Sequence, residues 1–302
     1  MQLFQNVSQA IGLYDVVRKW FIVIPAVVCP VNFFIDAPFG RFTPQTNSLF
    51  LVDGVKAWMI MESVVFPAFV YAFLKSPLSA TSFGSAPPLT LAHPPTFLAS
   101  LYLIHYLNRA IISPLRTPSR SKSHLLVPLL AVSYQVVNAS LMGAYLSSSQ
   151  ADAYLQGAFK SPRFWAGIAV WALGLMGNIL HDEVLLNIRR KAKAKGKARE
   201  DDSNGKNKQE HYAIPHGYLY NYISFPNYFC EWAEWLGFAI AAAPAPSFTS
   251  FAALLLTTQA PYIFFSSEFF TMIPRAWKGH QWYKNRFPDY PRERKAVIPF
   301  LI

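Results

Sequence analysis

Residues 212–235, YAIPHGYLYNYISFPNYFCEWAEW, decide how this chain is read. A polar, aromatic approach gives way to an apolar segment that carries Asn227, Glu231 and Glu234. Their spacing of i, i+4 and i+7 puts all three on one face of a helix. Ionisable groups at membrane depth are expensive and turn toward a cavity, a ligand or an opposite charge. Two readings follow for this face. Either it points into a polar chamber, or Glu231 and Glu234 sit hydrated at headgroup level, where Tyr and Trp are enriched as they are in this stretch.

The rest of the composition agrees with a membrane setting. Of the 302 residues 53% are hydrophobic and only 14% charged, against about 25% charged in a soluble domain. The net charge of +11 gathers at 189–208 and 275–295, between and after apolar runs. That is the distribution of cytoplasmic loops, not of a nucleic-acid surface. Cys29 and Cys230 both fall in apolar segments, so neither a disulfide framework nor a cysteine zinc site is available, and no HExxH is present. Arg18 and Lys19 precede an apolar run without a small-residue cleavage site, which predicts a retained first helix. The closing residues 298–302 match neither a lipidation box nor a retention signal.

A span of hydrocarbon takes about 20 residues, and suitable runs lie at 14–35, 55–75, 93–113, 124–147, 164–188, 227–247 and 249–272. The expected fold is all-α, a polytopic bundle of seven transmembrane helices. With the N-terminus outside, Arg41, Arg116, Arg120, Lys122, the 189–208 cluster and the basic tail share the cytosolic side; Arg18 and Lys19 pull the other way. Pro25 and Pro30 predict a kink or an early end in the first helix. Residues 36–42 read as a Pro/Gly turn, and 191–209 as a solvated loop.

Several stretches place reactive side chains at membrane depth. Glu62 stands alone in 57–66, AWMIMESVVF, and is either buried as a hydrogen-bond donor or ion partner, or held at headgroup level beside Asp53 and Lys56. His105, Tyr106, Asn108 and Arg109 crowd little more than one turn: a phenol can donate a proton and an arginine can hold an anion, while aromatic anchoring and snorkelling are the plain alternative. Asn178, Asp182 and Arg189, at i, i+4 and i+11, share a helix face suited to a nucleotide, or pair with one another to close a helix end. His181 and His211 lack metal-ligand spacing. The tail 274–300 interleaves aromatic rings with cations, as befits stacking on a planar ring beside phosphates or an amphipathic surface segment.

These pieces together resemble the steroid 5-alpha-reductase (3-oxo-5-alpha-steroid 4-dehydrogenase) family. The carrying motifs, in order, are A-W-x-x-x-E (57–62), H-Y-x-x-R (105–109), N-x-x-x-D (178–182), Y-x-I-P-x-G (212–217), N-x-x-x-E-x-x-E-W (227–235), R-A-x-x-x-H-x-W-Y (275–283) and D-Y-P-x-x-R-K-A-x-I-P-F (289–300). The resemblance implies an NADPH-dependent reductase of the endoplasmic reticulum acting on a steroid or sterol enone, with a lumenal N-terminus and a cytosolic C-terminus. It implies a single domain over 1–302, with the substrate mainly on 1–150 and NADPH mainly on 151–302. Glu62 and Tyr106 are then the catalytic pair on the 3-oxo group. NADPH falls to Arg120, Asn178, Asp182, Arg189, Tyr212, Asn227, Arg275, His280, Tyr283 and Arg294, and Trp58, Arg109, Glu231 and Glu234 support the pocket. Lipid is the surrounding partner; no metal, nucleic acid or obligate protein partner is implied. Ala213, Tyr218, Gly279, Met61 and Val64 depart from residues common among members, which bears on the 2'-phosphate contacts, the lid and steroid placement. A trans-2-enoyl-CoA or polyprenal reductase shares the C-terminal pattern, and a seven-span receptor, channel or lipid-binding scaffold is the non-enzyme alternative.

Overall fold

A computed structural model describes residues 6–35, 38, 40–42, 49–79, 84–118, 120–200 and 212–302. Helix α1 (Val7–Asn32) is opened by Asn6, whose side chain accepts from the Gln9 amide, and runs through Pro25 and Pro30 before ending. Asp53 caps α2 (Gly54–Ser63) by accepting from the amides of Val55 and Lys56, and α3 (Val65–Lys75) follows directly. Next come α4 (Pro94–Tyr106), a π-helical turn (Leu107–Ile112) and α5 (Ser113–Arg116). The remaining helices are α6 (Leu126–Leu146), α7 (Ser149–Leu155), α8 (Pro162–Glu200), α9 (Pro226–Ala242), α10 (Phe251–Thr257) and α11 (Ala260–Arg286). A short antiparallel ribbon pairs β1 (Leu51–Val52) with β2 (Ser123–His124).

The chain is a largely helical membrane protein. Among the described residues three segments are long and apolar enough to cross a bilayer: 54–75, which joins α2 and α3, 126–146 and 162–194. Of the other expected spans, the first lies in α1, which is long enough at 26 residues but carries Asp15, Arg18 and Lys19, and the rest are interrupted or short. The run at 93–113 passes into the π turn, α9 has 17 residues, and the run at 249–272 breaks at Thr258 and Gln259 between α10 and α11. Lys191–Glu200, read from its polarity as loop, continues α8, because Lys, Ala and Arg are good helix formers whatever their polarity. The rest of that expected loop, 201–209, and His211 lie outside the described residues, as do 36, 37 and 39 of the turn at 36–42, whose Gly40–Phe42 forms one turn of 3-10 helix.

Arg18 accounts for the charge that disagreed with the loop asymmetry. It is 4% exposed and donates to the carbonyls of Leu255 (2.9 Å), Thr258 (2.8 Å) and Leu256 (3.1 Å), while Asp15 lies 2.7 Å from its Nε. Those carbonyls end α10, where the backbone has no helical donor left and a cation is favoured. The guanidinium thus fastens α1 to the α10–α11 break.

Close approach of α8 and α9 builds the site. A Cβ added to Gly174 would lie 2.6 Å from Glu234 Cα, and one on Gly237 would lie 2.7 Å from the Gly167 carbonyl, so neither position admits a side chain. This contact turns the Asn227/Glu231/Glu234 face of α9 inward. A buried aromatic core with Phe69, Tyr102, Trp235, Phe238 and Phe264 closes around it.

Candidate active site

The π turn sets the arginine at the centre. Pro114 has no N–H and its ring crowds the carbonyl four residues back; one turn earlier the helix has already widened, with Ser113 N–H donating to the Asn108 carbonyl. Arg109 sits in this widened turn. Its Nε donates to Glu62 Oε1 (3.3 Å), and its Nη1 lies 3.1 Å from Glu231 Oε1. Glu62, Glu231 and Glu234 are all buried, so the alternative in which they are simply hydrated does not hold.

From Glu62 the network runs into α6 and α4. Gln135 Nε2 donates to Glu62 Oε2 (2.6 Å), Tyr106 OH donates to Gln135 Oε1 (3.1 Å), and Asn138 Nδ2 donates to the hydroxyls of Tyr106 and Tyr102 (3.2 Å each). From Glu231 it runs the other way. Asn178 Nδ2 donates to Glu231 Oε2 (3.2 Å) and to the Asn227 carbonyl (3.0 Å), and Asn227 Nδ2 donates to Asp182 Oδ1 (3.0 Å). Glu234, fully buried, accepts from His105 Nδ1 at 2.7 Å. Beside Asp182 a cavity of about 10 Å³ remains between Asn108, Ser113 and Arg116, hardly more than one water fills. The polar groups meet one another directly.

One edge of this network is basic and aromatic. Trp58 Nε1 donates to the Arg109 carbonyl (3.1 Å); the Arg109 guanidinium lies 4.9 Å from the Trp58 ring centre and that of Arg120 lies 3.9 Å from it. Burial, and then the facing charge of Arg189, push Arg120 down to about 10, with Asp182 opposing. A half-buried, mutually repelling arginine pair beside one carboxylate is an arrangement that an anion relieves.

A second cluster holds the tail. Ser224 Oγ lies 2.6 Å from both His280 Nδ1 and the Tyr290 hydroxyl; Tyr283 stacks on Tyr290 with ring centres 5.3 Å apart. Arg294 donates to the Pro215 carbonyl (3.0 Å). Backbone bonds from Ser224 to Lys295 and from Phe225 to Ala296 tie the tail to the start of α9, and Val297 packs with Trp232, Met272 and Ala276. The tail is part of the folded body, not a surface amphipathic segment.

The expected site residues therefore fall into groups. Glu62, Tyr106, Arg109, Asn178, Asp182, Asn227 and Glu231 share one hydrogen-bonded chain, with Trp58, Arg120 and Arg189 along its edge. His280, Tyr283 and Arg294 belong to the tail cluster, and Tyr212 meets Trp282 edge-on at 5.0 Å. Arg275 lies in the field of Glu268. Glu234 pairs with His105 apart from Arg109. His181 is structural: its ring bonds the Gly177 carbonyl and accepts from the Leu219 amide. Unforeseen members are Gln135, Asn138, Tyr102 and the Tyr134–Glu268 pair (2.8 Å). Their signal was present, since Gln135 and Asn138 are polar residues one turn apart within an apolar span.

Two family departures have physical counterparts. Tyr218 holds φ +48, the left-handed region where glycine is at ease. At Gly279 the Phe225 ring fills the space of a Cβ, with Cε2 at 2.7 Å, so a histidine there requires Phe225 to move.

Residues 121–302 match the family model described as 3-oxo-5-alpha-steroid 4-dehydrogenase. The chain belongs to this family. Among its relatives, 3-oxo-5-alpha-steroid 4-dehydrogenase 1 of Bos taurus is 32% identical, with 91% of this chain and 92% of the relative covered. The steroid 5-alpha-reductase of Solanum lycopersicum is also 32% identical, over 89% of each. An uncharacterized protein of Schizosaccharomyces pombe is 35% identical, over 91% of this chain and 94% of its own. Membership in the 3-oxo-5-alpha-steroid 4-dehydrogenase family makes the protein an oxidoreductase by kinship, as the motifs implied.

Proposed function

We propose that the protein is an NADPH-dependent reductase of the carbon–carbon double bond of a 3-oxo-Δ4 steroid, adding hydride at C5 and a proton at C4. The observation that carries this is the single buried chain of hydrogen bonds linking the Tyr106 phenol and the Glu62 acid to Asn178, Asn227 and Asp182. It joins groups suited to an enone oxygen with groups suited to a nucleotide.

The residues present fit a dinucleotide. Arg120 and Arg189 suit phosphate, and the Trp58 ring and the Asp182/Asn227 pair suit its planar and hydroxylated parts. Asn227 Oδ1 and Arg294 Nε are buried without a partner, and an unpaired buried group costs about 1–3 kcal/mol, which a ligand atom relieves. NADPH, when bound, supplies the hydride. Binding replaces internal contacts around Asp182, where the present cavity is small.

At the other end Tyr106 donates to the 3-oxo oxygen, where negative charge gathers as the far carbon of the enone is reduced. Glu62, whose two oxygens accept from Arg109 and Gln135, is the second group of the pair and stands behind the phenol through Gln135. Arg109, between Glu62 and Glu231, keeps the acid in register. The protein is placed in the endoplasmic reticulum membrane with seven spans and a cytosolic C-terminus, which puts Arg120 and Arg189 on the cofactor side.

The test is NADPH consumption by purified protein against a panel of 3-oxo-Δ4 steroids, trans-2-enoyl-CoAs and polyprenals, with products identified. A 5-alpha-reduced steroid supports the reading. Turnover of only acyl or prenyl enones moves the protein to another substrate, and failure to bind NADPH removes the reading altogether.

A further inference from the structure

Glu62 and Tyr106 are joined through a third side chain. Gln135, on α6 and 7% exposed, lies between them with Nε2 2.6 Å from Glu62 Oε2 and Oε1 3.1 Å from the Tyr106 hydroxyl. We propose that Gln135 is a positioning residue of the site: its carboxamide, held in one orientation by Glu62, aims the Tyr106 hydroxyl and transmits the influence of the acid to the phenol. This rests on the reductase reading only for its kinetic consequence.

The chemistry of the neighbours fixes the orientation. Reversing the carboxamide would set its oxygen against an oxygen of Glu62, whose other oxygen already accepts from Arg109. Oε1 must therefore face Tyr106. The phenol has a single hydrogen, which it gives to Gln135 Oε1, while its other neighbours, Asn138 Nδ2 and the Tyr102 hydroxyl, both have hydrogens to donate to it. The hydrogen accordingly points at Gln135. A carbonyl thus already occupies the direction from which an enone oxygen takes this hydrogen bond, and substrate binding exchanges one carbonyl acceptor for another. Such an exchange leaves no buried donor unpaired on the phenol. Asn138 lies one turn from Gln135 on the same helix face and holds Tyr102 and Tyr106 together, so α6 fixes the phenol from two sides.

Two measurements on the full-length protein in detergent or nanodiscs test this. The first is infrared spectroscopy with ring-13C tyrosine, where the C–O band of Tyr106 is identified by its loss in Tyr106→Phe. That band is expected to shift in Gln135→Leu and in Gln135→Asn, which keeps an amide but is too short to bridge. An unmoved band in a folded variant overturns the proposal whatever the protein reduces. The second is a kinetic cycle. Gln135→Leu and Gln135→Asn should each lower kcat by about 10- to 100-fold while NADPH affinity stays at the wild-type value. Gln135→Leu combined with Tyr106→Phe should be no slower than Tyr106→Phe alone, within about twofold. Losses that multiply overturn the positioning role, because a scaffold residue acts independently of the phenol. If Gln135→Leu does not fold, Gln135→Asn carries both measurements. A band shift in a protein that reduces no steroid enone sinks the reductase reading and leaves the link intact.

Discussion

Replacing Arg109 by methionine removes the guanidinium that stands between Glu62 and Glu231 and leaves an aliphatic stem of similar reach. The arginine side chain is 23% exposed, and the two carboxylates are 3% and 4% exposed. Both acids then face each other in a buried space with only neutral donors left, Gln135 on one and Asn178 on the other. Breaking a buried ion pair by removing one partner costs about 3–5 kcal/mol. The lost contact of Arg109 with Trp58, at 4.9 Å, adds about 0.5–1 kcal/mol at most. At roughly 2 °C per kcal/mol for a chain of this size, the expected fall in apparent Tm is about 7–12 °C, read by thermal unfolding in detergent at a fixed scan rate. The companion variant Arg109→Met with Glu231→Gln removes one stranded acid, and the glutamine oxygen still accepts from Asn178. It should regain about half of the loss. A single variant that melts within about 2 °C of wild type, or a double variant that melts below the single one, refutes the picture of Arg109 as the ion partner of both acids.

Tyr106→Phe and Glu62→Gln should each lower turnover by about 100-fold or more, measured on folded protein, with Glu62→Gln also melting lower because it breaks the ion pair to Arg109; wild-type turnover in either variant removes the role assigned to that residue. Arg120→Ala and Arg189→Ala should each weaken NADPH binding by about 10-fold or more, the worth of one charge-assisted hydrogen bond, measured by quenching of tryptophan fluorescence; unchanged affinity places the phosphates elsewhere. His280 lies in α11 beyond the expected membrane stretch, and burial, then the charges of Lys284 and Lys295, lower it from its ordinary 6.5 to about 4. The unfolded chain then binds the extra proton between those values, so stability is full above about 6.5 and is lost as pH falls toward about 4. In His280→Gln the melting temperature should vary less across that window, and an identical acid slope would show that other groups are responsible. Tyr218→Gly relieves a left-handed residue and should raise stability by about 1 kcal/mol; a lowered melting temperature means that the exposed Tyr218 ring contributes a contact worth more than the strain.

What the sequence made legible, and what it hid, divides along one physical line. Periodicity reports which side chains share a face, and it placed Asn178 with Asp182 and Asn227 with Glu231 correctly, because each pair lies on one helix and its spacing is local. It carries no information about which helices touch. The glycines that press α8 onto α9 looked like ordinary members of an apolar run, and only their contacts with Glu234 and Gly167 reveal that two polar faces were meant to meet. Arg18 was read as a topological charge because its partners, the carbonyls ending α10, are backbone groups some 240 residues away in the chain and leave no mark in composition. Polarity misread 191–200 for a related reason: it measures solvation, and a solvated helix is as polar as a loop. Gln135 and Asn138 differ from these cases, since the rule that singled out Glu231, a polar side chain at membrane depth needs a partner, applies to them equally. Restricting that rule to ionisable residues is what passed them over. In a bundle whose polar groups are satisfied by one another, a neutral amide is a natural joint between an acid and a phenol, because it offers a donor at one end and an acceptor at the other.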